Sequence, residues 1–101
     1  MVVARTSAWF FKKDKRSDGF AELDLILNTN ARNTKGFRGF ISLLSRDDPN
    51  MAVVVTMWVD EEALQASETG VFKDAVKKVE AYLEKPPMVE NFRVFSAELR
   101  Q

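Results

Sequence analysis

The sequence predicts an α+β fold of ferredoxin-like β-α-β-β-α-β order, an antiparallel sheet with helices packed on one face. Three observations carry this expectation. Four runs rich in apolar and β-forming residues lie at 2–11, 37–45, 51–59 and 89–99. Apolar residues at helical spacing fill the interval between the first and second runs and that between the third and fourth. Only a short turn containing Pro49 and Asn50 separates the second run from the third, as a hairpin requires.

Val2 to Phe11 is the first strand. The charged loop KKDKRSDG (12–19) follows, and Ser17 or Asp18 is placed to cap the next helix. On that helix Phe20, Leu23, Leu27 and Ala31 recur at spacings of three and four, which makes one apolar face, and Asn30, Asn33 and Gly36 close it. FRGFISLLS (37–45) is the second strand, RDDPN (46–50) the turn, and Met51 to Val59 the third strand. Asp60 sits where an N-cap belongs, and Glu61 and Glu62 suit the positive end of a short helix over 61–68. A break near Thr69-Gly70 precedes a second stripe, Phe72, Ala75, Val76, Val79 and Leu83, which Pro86-Pro87 ends. Val89 to Leu99 is the last strand. The 101 residues make one domain with no internal linker, repeat or low-complexity segment.

The third strand carries a further expectation. Met51, Val53, Val55, Met57 and Val59 point one way, and Ala52, Val54, Thr56 and Trp58 the other, so both faces are largely apolar. A sheet covered by helices on one side should be polar on its bare side. An apolar bare side needs a cover, either a second copy of the chain packed sheet to sheet or the loops and C-terminal segment of the same chain. The expected cover is a homodimer through the sheet face, burying on the order of 1,600 Å² in total.

Composition narrows the chemistry. Lys+Arg and Asp+Glu balance at 15 each, so no long-range attraction to nucleic acid or an anionic membrane is expected. No apolar run approaches the roughly 20 residues that span a bilayer, and the N-terminus lacks the basic start and cleavage region of a signal peptide. Without cysteine there are no disulfides, and the expected location is cytoplasmic. The absence of both His and Cys excludes a Ser-His triad, a thiolate nucleophile, a Cys/His zinc site and a histidine-held haem. Acid–base work is left to Asp, Glu, Lys, Tyr82 or the substrate itself.

Several segments together resemble one family over nearly the whole chain. They are GFRGF (36–40), SRDDPN (45–50), the strand VVVTMW ending in Trp58, DEEAL (60–64) directly after it, and VFKDAV (71–76) opening the long helix. This arrangement is similar to the antibiotic biosynthesis monooxygenase (ABM) family, small dimeric α+β barrel proteins. The resemblance implies a protein that binds a hydrophobic aromatic small molecule, a quinol or phenolic polyketide, and oxidises it with O₂ using no metal, flavin or other cofactor. An electron-rich phenolate or enolate can itself pass an electron to oxygen. The protein has to hold a flat ring, take its proton and stabilise the anion. In related members the pocket lies between sheet and helices, and the tryptophan matching Trp58 helps line it. A haem-degrading branch has a histidine where this chain has Val76, and some quinol-type members have an asparagine where it has Val54.

The candidate pocket residues are Trp58 first, then Phe40, Phe72 and Arg38; no catalytic residue can be named. Trp58 is either a pocket wall or core filler, and Phe40 and Phe72 divide the same way. Arg38, flanked by Gly36 and Gly39, either pairs with an anionic ring oxygen or lies solvated at the sheet edge. Tyr82 is either a proton relay or a packed tyrosine with its hydroxyl in water. Helix capping accounts for Asp60, Glu61 and Glu62 without a metal. KGFRGFIS (35–42) resembles an RNA-recognition signature, but Arg38 interrupts the match and it falls on the second strand, where the signature belongs on the third. The alternative to an enzyme is a non-catalytic ligand-binding or structural homodimer. The two readings part on whether an ionisable group reaches a cavity beside Trp58.

Overall fold

The computed structural model describes residues 1–100. The elements run β1 (Val3–Phe11), α1 (Arg16–Ile26), a π-turn (Leu27–Ala31), β2 (Phe37–Leu44), β3 (Met51–Trp58), α2 (Glu61–Thr69), α3 (Val71–Val79), a 3₁₀ turn (Glu80–Tyr82) and β4 (Leu83–Arg93). The sheet order is β2-β3-β1-β4 and every neighbouring pair is antiparallel. This is the ferredoxin-like arrangement, with the two halves interleaved and the helices on one face.

Local chemistry accounts for most boundaries. The Asp60 carboxylate accepts the backbone N–H of Ala63 at 2.9 Å and caps α2 as expected. Helix α1 starts differently. It begins at Arg16, its N-cap is Lys15, and no side chain caps it, so Ser17 and Asp18 lie inside the first turn. The chain is already turning there, with Lys15 N–H bonded to the Lys12 carbonyl and Gly19 N–H to that of Lys15. At its other end the helix widens into the π-turn within the run LNTNARNT. Asn28, Thr29, Asn33 and Thr34 each bond a carbonyl four residues back, competing with the backbone ladder. Gly36, at φ +83°, then turns the chain into β2; a Cβ there would meet the Ala63 side chain at 2.5 Å.

The last third of the chain departs from expectation. Pro86-Pro87 does not end α3. The helix has already closed at Val79, and both prolines lie inside β4, which spans Leu83–Arg93 where 89–99 was expected. Prolines are tolerated in β4 because it is an edge strand and because it bulges at that point: Lys85 faces Phe10 and Met88 faces Ala8, leaving two prolines opposite Trp9 alone.

Alternation sorts the sheet as the sequence implies. Val3, Arg5, Ser7, Trp9 and Phe11 of β1, with Ala52, Val54 and Trp58 of β3, are buried under the helices. On the opposite face Val53, Val55 and Met57 are only half-buried, and Leu43, Met88 and Phe92 are exposed. No helix among the described residues is long and apolar enough to cross a membrane.

Candidate functional site

The covered core is divided in two. One cluster gathers Trp9, Phe11, Leu23, Ile26, Val54 and Val79, and a smaller one joins Val3, Trp58 and Leu64. Between them, against the middle of β1 and β3, sits a small cavity of about 30 Å³. Its walls come from Trp9, Leu23, Ile26, Leu27, Ala31, Val54, Trp58, Val71, Phe72 and Ala75, and its polar groups are Arg5, Ser7 and Thr56. Leu27 and Ala31 bound the π-turn, so that helix irregularity is part of the wall.

Register creates the polar strip. Arg5 is paired with Thr56 across β1 and β3, and Ser7 with Val54, all on the covered face. The two hydroxyls take the indole donors two residues along their own strands. Trp9 Nε1 donates to Ser7 Oγ at 2.8 Å, and Trp58 Nε1 donates to Thr56 Oγ1 at 3.0 Å. Each buried indole is thereby satisfied without reaching solvent.

Arg5 is the one charged residue buried among the described residues, at 2% exposure. Its Nη2 donates to the Leu64 carbonyl at 3.1 Å and lies 3.6 Å from Glu68 Oε1, too long for a hydrogen bond. The guanidinium stacks over the Phe72 ring, 4.7 Å from its centroid. Its Nε is buried with no hydrogen-bond partner. Burial pushes the Arg5 pKa below the usual arginine value, and the Glu68 carboxylate opposes that shift through its charge. An arginine nonetheless stays protonated in a protein, so the cavity wall carries a fixed, incompletely paired positive charge.

Of the residues singled out from sequence, Trp58 (1% exposed) and Phe72 are brought together on this cavity. Phe40 packs against the larger cluster but is not among the cavity-lining residues. Arg38 lies elsewhere. A bulge sets Phe37 opposite Trp58 and Gly39 opposite Met57, which leaves Arg38 unpaired and exposed beside a surface depression with Lys35, Asp60 and Glu62. Tyr82 is half-buried against the core and does not line the cavity. Sequence reasoning missed Arg5, Ser7 and Thr56 as site residues. Parity was only a partial signal: it puts Arg5 and Ser7 on the strand face of Trp9 and Phe11, without saying which face the helices cover.

Phe72 also faces outward. On its other side a groove of about 650 Å³ runs between α3 and β4, lined by Glu68, Phe72, Val76, Leu83 and Pro86 and edged by Lys73, Lys77, Glu80 and Lys85. That volume is in the range of small-molecule sites, whereas the inner cavity admits roughly one water. Among the described residues no three His, Cys, Asp or Glu side chains gather as a metal site would need.

Residues 1–78 match the family model described as antibiotic biosynthesis monooxygenase. No curated protein matches the sequence. Solved structures share the fold at low identity. A Mycobacterium tuberculosis protein is 21% identical with a TM-score of 0.78, over 96% of this chain and 98% of that one. A Nitrosomonas europaea protein of unknown function is 19% identical with a TM-score of 0.81, over 99% and 95%. A second protein of that organism, provisionally named an antibiotic biosynthesis monooxygenase, is 17% identical with a TM-score of 0.80, over 93% and 90%.

Proposed function

This chain belongs to the antibiotic biosynthesis monooxygenase family, and on that premise we propose that it is a cytoplasmic homodimer that binds a hydrophobic aromatic small molecule of quinol or polyketide type. The ring is oxidised by O₂ without metal, flavin or other cofactor. The site lies between sheet and helices, with Trp58 and Phe72 as walls. One observation carries this reading: a charged side chain and two hydroxyls converge on the cavity beside Trp58. The hydroxyls also serve the two indoles, but a packed core has no use for the charge. Burying an incompletely paired cation costs several kcal/mol in a domain whose whole stability is about 5–15 kcal/mol. Arg5 is well suited to hold negative charge as it builds on a ring oxygen, because a fixed cation in a dry site is worth far more than one in water.

A ring does not fit in 30 Å³. On this reading Phe72, which walls both spaces, yields so that the inner cavity opens into the outer groove. The homodimer is supported by the apolar, half-open bare face of the sheet. The segment 94–97 borders a depression on that face beside Val55 and Met57, yet Phe95 itself is fully exposed.

A second reading, ligand binding without catalysis, rests on a specific observation. None of the cavity's polar side chains, Arg5, Ser7 and Thr56, is a base at neutral pH. Oxygen uptake with a panel of quinols and anthrones decides between the two. Wild type is expected to consume O₂ above the buffer rate, and Trp58→Ala to lose most of that rate. No uptake with any compound would leave the binding reading standing and remove the enzymatic one.

A further inference from the structure

Resting on the binding reading above, we infer that the ligand enters this site as an anion, an aromatic ring bearing an ionised oxygen that pairs with Arg5 in place of Glu68. Four observations meet here. Arg5 lines the cavity, is 2% exposed, and keeps an unpartnered Nε. A ligand oxygen is the kind of acceptor that would satisfy that donor, and a guanidinium prefers an oxyanion in its own plane. The resident counter-ion is loosely held. Glu68 stands 3.6 Å from Nη2, is about half exposed, and has one side-chain hydrogen bond, accepted from Asn91 at 3.5 Å. Glu68 and Phe72 both line the outer groove, so the route from groove to Arg5 passes the two side chains that now occupy the guanidinium. Finally, with no base on the cavity wall, a ligand whose oxygen is already ionised is the one this wall accommodates.

Calorimetric titration with matched pairs tests the inference. A naphthoate is compared with the corresponding naphthamide, and a nitronaphthol ionised at neutral pH with its methyl ether; the first pair reports carboxylates, the second phenolates. Wild type is expected to bind at least one anion roughly tenfold or more tighter than its neutral partner, as a charge-assisted hydrogen bond implies. Arg5→Met should erase that preference while leaving the neutral ring's affinity within about threefold. Glu68→Gln, which removes the competing carboxylate, should tighten the anion and leave the neutral ring unchanged. Equal binding of anion and neutral partner by wild type would overturn the inference while leaving an aromatic site in place. Absence of binding by all four compounds would overturn both. Unchanged anion affinity in Glu68→Gln would overturn the exchange of counter-ions. The near-ultraviolet spectrum of Trp9 and Trp58 reports whether Arg5→Met is folded; if it is not, the wild-type pairs and Glu68→Gln still decide.

Discussion

The two faces of the sheet hold opposite anomalies. The helix-covered face is sealed, with Arg5, Ser7, Trp9, Phe11 and Trp58 all below 5% exposure, yet it encloses a charge and hydroxyls. The bare face is the more uniformly apolar, with Ala8, Phe10, Val53, Val55 and Met57, yet it lies open, and Phe92 and Met88 are 45% and 62% exposed. Hydrophobic burial in a lone chain would favour the reverse distribution. A buried polar strip and an exposed apolar one are therefore the two informative features of this molecule. On the proposed reading the first is the place of a ligand and the second that of a partner.

The comparison breaks most visibly on the open side. Val55 lies mid-strand in β3, flanked by Thr6 and Ile41 on that face. Val55→Glu is expected to convert a species of twice the chain mass into an 11.5 kDa monomer in light scattering. In a lone chain that glutamate would stay solvated and change stability by only about 0.5 kcal/mol. An unchanged particle mass in the variant, or a wild type that is already monomeric, would remove the partner from the account.

On the sealed side Trp58→Ala should cost about 3–5 kcal/mol in urea unfolding, because it removes a large buried ring together with the indole partner of the Thr56 hydroxyl. A loss below about 1 kcal/mol would mean that the covered face is less tightly packed around Trp58 than its burial implies. The sharpest contrast is Arg5→Met on the same face. Replacing a buried, imperfectly paired charge by an apolar side chain of similar length is expected to be neutral or to raise stability by about 1–4 kcal/mol. The Leu64 carbonyl keeps the Ser67 hydroxyl as a donor, so little is left unpaired. Stability lost in Arg5→Met by more than about 2 kcal/mol would make Arg5 a packing residue and sink the contrast.

Much of this was legible from residue order. The hairpin at 46–50, the Asp60 cap and the two apolar surfaces of β3 rest on interactions spanning a few residues, and the structure has them as read. The same local reasoning put the end of the long helix at Pro86-Pro87, because a proline pair is a breaker wherever neighbours are unknown. Whether it also fits a strand depends on that strand lying at an edge and bulging, which no local window contains. The candidate site shows the same division. Trp58 stood out by its place at a strand end. Arg5 did not, because β1 is apolar on both faces and alternation alone could not say which one the helices cover. The arginine that did attract notice, Arg38, is turned outward by a bulge whose register is set by pairing with β3.

By itself, then, the sequence determined the element order, the chemistry that is missing, and the fact that apolar side chains leave the sheet in both directions. Tertiary structure decided which positive charge is buried, where two hydroxyls meet it, and that Phe72 stands between a small inner cavity and a larger outer groove. The reason is physical: strand and helix patterns are written in spacings of two to four residues, whereas the cavity arises from register between β1 and β3, whose paired residues lie about fifty positions apart in the chain.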